Sequence, residues 1–295
     1  MKRLIIATRG SQLALTQTHL VGHLLGFAHP GLTVEVRILK SEGDQRTDVS
    51  LAAAGGQGLF TKALEQALAA GEADLAVHSL KDLPTVCAEG LALAAISPRE
   101  DWREAWVSPV AATPWELPAG ALLGTGSLRR RAQLLRKRPD FRFADLRGNV
   151  DTRLHKVAQG QVQGAVLALA GLKRLGLESQ VRSIFTEAEL LPAPGQGFLG
   201  LETRAGSEAY QLCRALNDPG AEAESQAERA LLRALEAGCH APVGALARTD
   251  GGRLRLKAFV GFDAARPVDA ELEGDAAQPE ALGQALAAKI LKGQA

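Results

Sequence analysis

The sequence predicts an α/β protein with two α/β domains followed by a small α+β domain. Three observations predict it. Short β-rich runs alternate with helical patterns through the first part of the chain, Pro-rich segments interrupt that alternation twice, and the region beyond about residue 216 exchanges it for a long helix and a hairpin.

The run LIIAT (4–8) reads as the first strand. A helix begins near Ser11, a suitable N-cap, and Leu13, Ala14, Leu20, Val21, Leu24 and Leu25 recur at helical spacing, which predicts them as its buried face. VEVRIL (34–39) is the next strand, a helix follows from about Gly58, and DLAVHS (74–79) is a third strand. This βαβ alternation predicts a mostly parallel sheet covered by helices.

SPRED and VSPVAATPWELP lead into a second α/β stretch, about 98 to 193, with strands at ALLGT (121–125), FRFADL (141–146) and GAVLAL (164–169). LLPAPGQG closes that stretch, and the Pro-rich segments read as crossings between the two domains. From about 222 the helix AEAESQAERALLRALEA leads to VGALAR, a TDGG turn, RLRLKAFVGF and a final helix near 280–291. Asp250-Gly251 between alternating runs indicates a hairpin.

Composition narrows the function. With 34 basic against 33 acidic residues and 4% aromatics, the chain of 295 residues offers neither a global field for nucleic acid nor many rings for base stacking. After Met1, Lys2 and Arg3 only LIIA precedes Thr8 and Arg9, and the longest apolar run, AVLALAGL (165–172), is too short to span a bilayer. The expectation is a cytoplasmic protein with no nucleic-acid or membrane partner. Cys87, Cys213 and Cys239 are odd in number and far apart, which argues against disulfides and against zinc. His19 and His23 stand at i, i+4 without a third ligand nearby and are expected to flank the apolar stripe, so no metal site is expected.

The arginines carry the strongest signal. GTGSLRRRAQLLRKR (124–138) sets Arg129, Arg130 and Arg131 in the first turn of a helix after a strand. Cations there oppose the helix dipole at a cost of about 0.3–1 kcal/mol each, unless an anion is bound. Backbone N–H groups, the hydroxyls of Thr125 and Ser127 and the guanidinium forks would together hold a carboxylate or phosphate. At least one of the three is expected on the solvated surface. Arg9 in ATRGS, and Arg147 and Arg153 in LRGNVDTRL, occupy similar strand-to-helix positions, where open sheets bind ligands. Several such sites imply a polyanionic ligand. VHSLKDLP (77–84) adds Lys81 and Asp82 at another strand end; a carboxylate in a cationic cleft is a natural partner for positive charge developing on a substrate. Neither a Walker A nor a GxGxxG motif follows a strand. Cys239, in LEAGCHAPVG (235–244), sits in a Gly- and Pro-marked bend where a buried structural thiol is out of place.

IATRGS with LALTQ, GGQGLFTKALE, ADLAVHSLKDLP, GTGSLRR, LRGNVDTRL, LAGLKRLG, LPAPGQG and LEAGCHAP, in that order from about residue 5 to 244, resemble the porphobilinogen deaminase (hydroxymethylbilane synthase) family. The resemblance implies a three-domain fold whose first two domains are of the type II periplasmic-binding-protein kind. The strand after PGQG would return to the first domain, giving 1–97 with 195–215, then 98–194, then 216–295. It implies a transferase of haem- and chlorophyll-type tetrapyrrole biosynthesis, a monomer, that condenses four porphobilinogen molecules with loss of ammonia. The chain would grow on a dipyrromethane cofactor joined by a thioether to Cys239.

By the same resemblance Asp82 and Lys81 are catalytic, Asp82 stabilising azafulvenium cations. Lys81, Asp82, Thr125, Ser127, Arg129, Arg130, Arg147 and Gly148 would hold the cofactor with Cys239. Arg9, Ser11, Gln17, Ser79, Arg147, Arg153, Arg174 and Gln196 would hold substrate. The sequence departs from the family pattern at Gly10, Gln57 and Ala237, and Gln57 puts in doubt a contribution of its loop to substrate binding. The rival reading is a non-catalytic anion-binding sensor module, which leaves Cys239 and the third domain without a task. A phosphoryl or acyl transferase lacks a phosphate loop and a nucleophile–base pair.

Overall fold

The computed structural model describes residues 1–39, 61–238, 240–263 and 265–294. The expected helix start at Gly58 and the GGQGLF segment lie outside them. In the first unit, β1 (Arg3–Thr8), α1 (Gln12–Ala28), β2 (Thr33–Ile38), α2 (Lys62–Ala69), β3 (Leu75–Ser79) and β4 (Leu91–Ile96) follow one another. The second holds β5 (Glu104–Val107), β6 (Leu122–Gly124), α3 (Leu128–Lys137), β7 (Arg142–Ala144), α4 (Val150–Ala158), β8 (Gly164–Ala168), α5 (Leu169–Arg174) and β9 (Ser183–Ile184). The chain then returns as β10 (Leu199–Arg204) and α6 (Glu208–Cys213).

The two five-stranded sheets have the orders β2-β1-β3-β10-β4 and β7-β6-β8-β5-β9. In both, the strand that has just crossed from the other unit takes the fourth place and runs antiparallel to its neighbours. The other four strands of each sheet run the same way, so both sheets are mostly parallel as expected, and the crossing strand is the exception because the crossing chain enters from the opposite end. Sequence reading passed over β5 for a physical reason: it is four residues long and lies among the Pro-rich segments taken as a crossing. The strands ALLGT and FRFADL shorten to three residues each.

α1 starts where Ser11 predicts, with Ser11 Oγ accepting from the Ala14 N–H at 3.3 Å. Its buried face differs from the expected one. Gln17, Thr18, Val21 and Leu25 face the sheet, whereas Leu20 and Leu24 are 45% and 41% exposed. Two hydrogen bonds make the polar pair acceptable inside: Thr18 Oγ1 donates to Thr8 Oγ1 at 2.8 Å and Gln17 Nε2 donates to Ser79 Oγ at 2.9 Å. His19 and His23 are exposed.

The third unit is α7 (Pro219–Ala234), the meander β11 (Val243–Asp250), β12 (Arg253–Val260) and β13 (Val268–Asp275), and α8 (Pro279–Gln294). Gly251 and Gly252, at φ 52° and 83°, make the two-residue turn that the TDGG stretch predicts. Both helices cover one face of the sheet over Leu231, Leu254, Leu256, Leu286 and Ile290. No helix among the described residues is long and apolar enough to cross a membrane.

A buried carboxylate ties the three units together. Glu228 of α7 accepts from Arg99 Nη1 at 2.8 Å, the Gly195 N–H at 2.6 Å and the Ala247 N–H at 2.8 Å. Arg99 belongs to the first crossing, Gly195 to the second and Ala247 to β11. Burial pushes the Glu228 carboxyl up, while Arg99 and the two N–H groups pull it down.

α7 and α8 pack so closely that a Cβ on Gly283 would lie 2.4 Å from the Ala227 carbonyl oxygen and 2.8 Å from the Leu231 nitrogen. Gly283→Val is therefore expected to destabilise the protein by at least about 1–3 kcal/mol, the usual cost of overpacking, read as a lowered midpoint in urea unfolding.

Candidate active site

β3 ends at Ser79, and the chain at once makes a single 3₁₀ turn over Leu80–Asp82. Leu80 is 1% exposed and packs against Leu83, Ile96, Phe198 and Ala221, which leaves Lys81 half-buried and Asp82 exposed. The PGQG segment lies against this turn. Gly195, at φ 79°, approaches so near that a Cβ would stand 3.1 Å from the Lys81 nitrogen. Next to it Gln196, 1% exposed, accepts from Lys81 Nζ at 3.2 Å and donates Nε2 to the Trp102 carbonyl at 2.8 Å.

The second unit supplies the opposite wall. Thr125 follows β6, its Oγ1 accepting from the Ser127 N–H at 3.2 Å, and Ser127 Oγ accepts from the Arg130 N–H at 3.4 Å as the N-cap of α3. Both hydroxyls act as acceptors here, so each keeps its own hydrogen as a donor. Arg129 and Arg130 turn inward onto one residue that sequence reading missed. Arg129 Nη2 donates to Glu104 Oε1 at 2.6 Å and Nη1 to the Leu191 carbonyl at 2.6 Å; Arg130 holds Glu104 through Nε at 3.1 Å and Nη2 at 2.7 Å. Glu104 is fully buried. The anion expected at this helix N-terminus is thus, in part, built in. Arg131 is not the free surface cation expected of one of the three: it donates to the Thr125 carbonyl at 2.8 Å and pairs with Asp145.

The two walls sense each other electrostatically. Burial lowers Lys81 to about 8; Asp82 and Glu104 oppose the shift, and Arg130 and Arg129 add to it. Burial also lowers Arg153, with Arg130 acting in the same direction and Asp82 against it. Glu104 is held far below the ordinary carboxylate range: Arg130, Arg129 and Lys81 outweigh the burial that would raise it. Lys81, Asp82, Arg129, Arg130, Arg153 and Glu104 therefore form one coupled group, with four cations facing two carboxylates.

Other predicted residues are held by bonds of their own. Arg153 Nε donates to the Gly148 carbonyl at 2.8 Å, Arg147 Nη2 to Asp145 at 3.2 Å, and Arg174 Nη2 to the Gly197 carbonyl at 2.6 Å. Gly148 has φ 104° and a Cβ there would meet Thr152 at 2.8 Å, so the turn carrying Arg147 needs glycine. Burial brings Arg174 down to about 10 against the opposing charge of Glu100. Arg9 is half-buried at the end of β1. Cys239 lies outside the described residues. α7 stops five residues before it, Glu236 adopts φ 52°, and the Gly238 carbonyl accepts from the Ala241 N–H at 3.0 Å. Among the described residues no group of three His, Cys, Asp or Glu side chains converges as a metal site.

A cleft of guanidinium and ammonium groups around an exposed carboxylate suits a substrate with several carboxylates that develops positive charge as it reacts. Comparison with known proteins gives the same chemistry. The family model "Porphobilinogen deaminase, dipyromethane cofactor binding domain" matches residues 4–211, and "Porphobilinogen deaminase, C-terminal domain" matches 223–292. The chain belongs to the porphobilinogen deaminase family. It is 48% identical to the porphobilinogen deaminase of Roseiflexus castenholzii, over 98% of this chain and 95% of that one, and 47% identical, over the same shares, to that of Roseiflexus sp. strain RS-1. Among solved structures, the methionine binding protein MetQ is similar at a TM-score of 0.47 and 12% identity over 73% of this chain and 89% of that one. As a porphobilinogen deaminase the protein is a transferase of tetrapyrrole biosynthesis that polymerises porphobilinogen, and its larger part is the dipyrromethane cofactor-binding domain. The sensor reading is not favoured, since the match extends through the third unit.

Removing the charge of Glu104 leaves two buried guanidinium groups without their counterion, so Glu104→Gln is expected to cost about 3–5 kcal/mol of stability at neutral pH. Because the folded carboxyl titrates below its unfolded value of 4.5, its contribution is complete above that pH and declines as pH falls below it. Unfolding of wild type and Glu104→Gln from pH 7 to pH 3 should show their difference narrowing below about 4.5.

Proposed function

We propose that the cleft between the two α/β units joins four porphobilinogen molecules head to tail into hydroxymethylbilane, with Asp82 as the catalytic carboxylate. The observation that supports this most is the setting of Asp82. Its carboxylate is exposed at the cleft, while Leu80 and Leu83 on either side of its turn are buried and Lys81 and Arg153 lie in its field. Such a group accepts a hydrogen bond from a pyrrole N–H and stabilises positive charge on that ring as ammonia departs, without moving to do so. It is also placed to take a proton from the pyrrole carbon once the new bond has formed.

The donor set fits a cofactor with acetate and propionate side chains. Thr125, Ser127, Arg129, Arg130, Arg147 and Gly148 on the second unit, with Lys81 and Asp82 on the first, are the residues that would hold dipyrromethane, and Cys239 is its covalent anchor. When bound, that group supplies the primer pyrrole to which the chain is added. Arg9, Ser11, Gln17, Ser79, Arg153, Arg174 and Gln196, together with Arg147, meet the carboxylates and ring of incoming substrate. Bidentate pairing favours arginine over lysine for this task. Residues 1–97 with 195–215, 98–194 and 216–295 are the three domains, and the protein works as a cytoplasmic monomer.

Asp82→Asn keeps the shape and an acceptor but not the charge, so turnover of porphobilinogen should fall by about 10²- to 10³-fold while the bound cofactor remains; near-normal turnover would remove Asp82 from its role. The anchor is checked by intact mass. The purified protein should exceed its bare-chain mass by two linked pyrroles, and Cys239→Ser should abolish the excess.

A further inference from the structure

The turn that carries Asp82 is followed by a stretch with no regular backbone pairing, from Leu83 to Gly90. Buried carbonyl groups in such a stretch need donors from elsewhere. Two arginines of α7 provide them. Arg229, 7% exposed, donates Nη1 to the Leu83 carbonyl at 3.4 Å and Nη2 to the Pro84 carbonyl at 2.8 Å; one helical turn on, Arg233 Nη1 donates to the Thr85 carbonyl at 3.1 Å. Three successive carbonyls after Asp82 are thus fixed to one face of α7.

The residue before Arg229 grips the other side of the same turn. Glu228 accepts the Gly195 N–H at 2.6 Å, and Gly195 packs against the Lys81 nitrogen while its neighbour Gln196 bonds Lys81 Nζ. Asp82 is held between these two grips. From Arg229 the same helix runs toward Cys239, ten residues later.

We propose that Arg229 is a positioning residue of the polymerisation reaction: by clamping the Leu83 and Pro84 carbonyls to α7, with Arg233 extending the clamp to Thr85, it sets the Asp82 carboxylate at a fixed place relative to α7. This rests on the role given above to Asp82. Arg229 touches no reacting atom. Its guanidinium is the part that matters, because a planar fork reaches two adjacent carbonyls at once and a single ammonium reaches them less well. A catalytic group displaced by about 1 Å loses much of its rate while substrate binding through other residues persists.

The test uses the full-length protein carrying its cofactor. For Arg229→Gln the expected result is retained cofactor by intact mass, a KM for porphobilinogen within about twofold of wild type and a kcat lower by about tenfold or more. Arg229→Lys should recover part of that loss. Wild-type kcat in Arg229→Gln overturns the proposal, and so does a loss that is shared by KM and cofactor content and is not relieved by lysine, since that is what a merely structural role gives.

If Arg229→Gln does not fold, Arg233→Gln, whose side chain is 31% exposed, carries the test: kcat lowered about two- to fivefold at unchanged KM supports the clamp, and unchanged kcat overturns it. Glu280→Gln removes only the other partner of Arg233, at 3.1 Å, and should leave kcat as it is; a fall there equal to that of Arg233→Gln would assign the effect to the ion pair with α8 and overturn the clamp. Asp82→Asn measured alongside separates the two levels. A normal Asp82→Asn fails the site itself, whereas an inactive Asp82→Asn beside a normal Arg229→Gln fails the positioning role alone.

Discussion

The ion pair between Glu228 and Arg99 is the constraint on which the relative placement of the three units depends. Neither partner lies on a sheet of the two α/β units: one is on α7, the other on the first crossing. A fully buried carboxylate would ordinarily be expelled or neutralised, since its desolvation costs several kcal/mol. Here a guanidinium and two backbone N–H groups satisfy it, and those donors come from both crossings and from β11. Arg99 is fixed in turn by the Gln196 carbonyl at 2.9 Å and by the Phe198 ring, whose centroid is 4.3 Å away. Such a site is satisfied in only one arrangement of the segments. The buried charge therefore specifies geometry more than it adds stability.

That junction reaches the chemistry through the PGQG segment. Gly195 answers to Glu228 on one side and to the turn of Lys81 on the other, so the polar residue beside it, Gln196, is delivered to the lysine without flexible links. Each α/β unit contributes one wall of the cleft, and both use the same strand order with a crossing strand in the fourth place. The consequence is that the turn after β3, with Asp82, and the start of α3, with Arg129 and Arg130, lie within each other's electrostatic field.

Electrostatics of the cleft are set by an internal compensation. Arginines gathered around one site repel each other, and they add to the burial that chiefly lowers the proton affinity of Lys81 and Arg153. Glu104 offsets part of that repulsion from beneath α3. Lys81, Arg129, Arg130 and Arg153 still outnumber Glu104 and Asp82. A polyanionic ligand would complete a balance that these groups leave positive.

The sequence by itself determined the family and most of the element order. Ser11, Asp250 and the Gly251-Gly252 turn act locally, through caps and allowed backbone angles, so they could be read from a few adjacent residues. The motifs around Lys81, Arg129 and Arg147 were legible for the same reason: each follows closely on the end of a strand. Glu104, Glu228 and the inward turn of Arg129 and Arg130 were decided only by the tertiary structure. Glu104 lies in a four-residue strand within a segment read as a crossing, and Glu228 is one acidic residue among several on a helix; nothing local marks either as buried. Burial of a charge depends on which donors the fold brings to it from distant segments. For the same reason the sequence assigned Leu20 and Leu24 to the covered face of α1, where the sheet instead accepted Gln17 and Thr18, because Ser79 and Thr8 stand opposite them with hydroxyl oxygens that accept their hydrogen bonds.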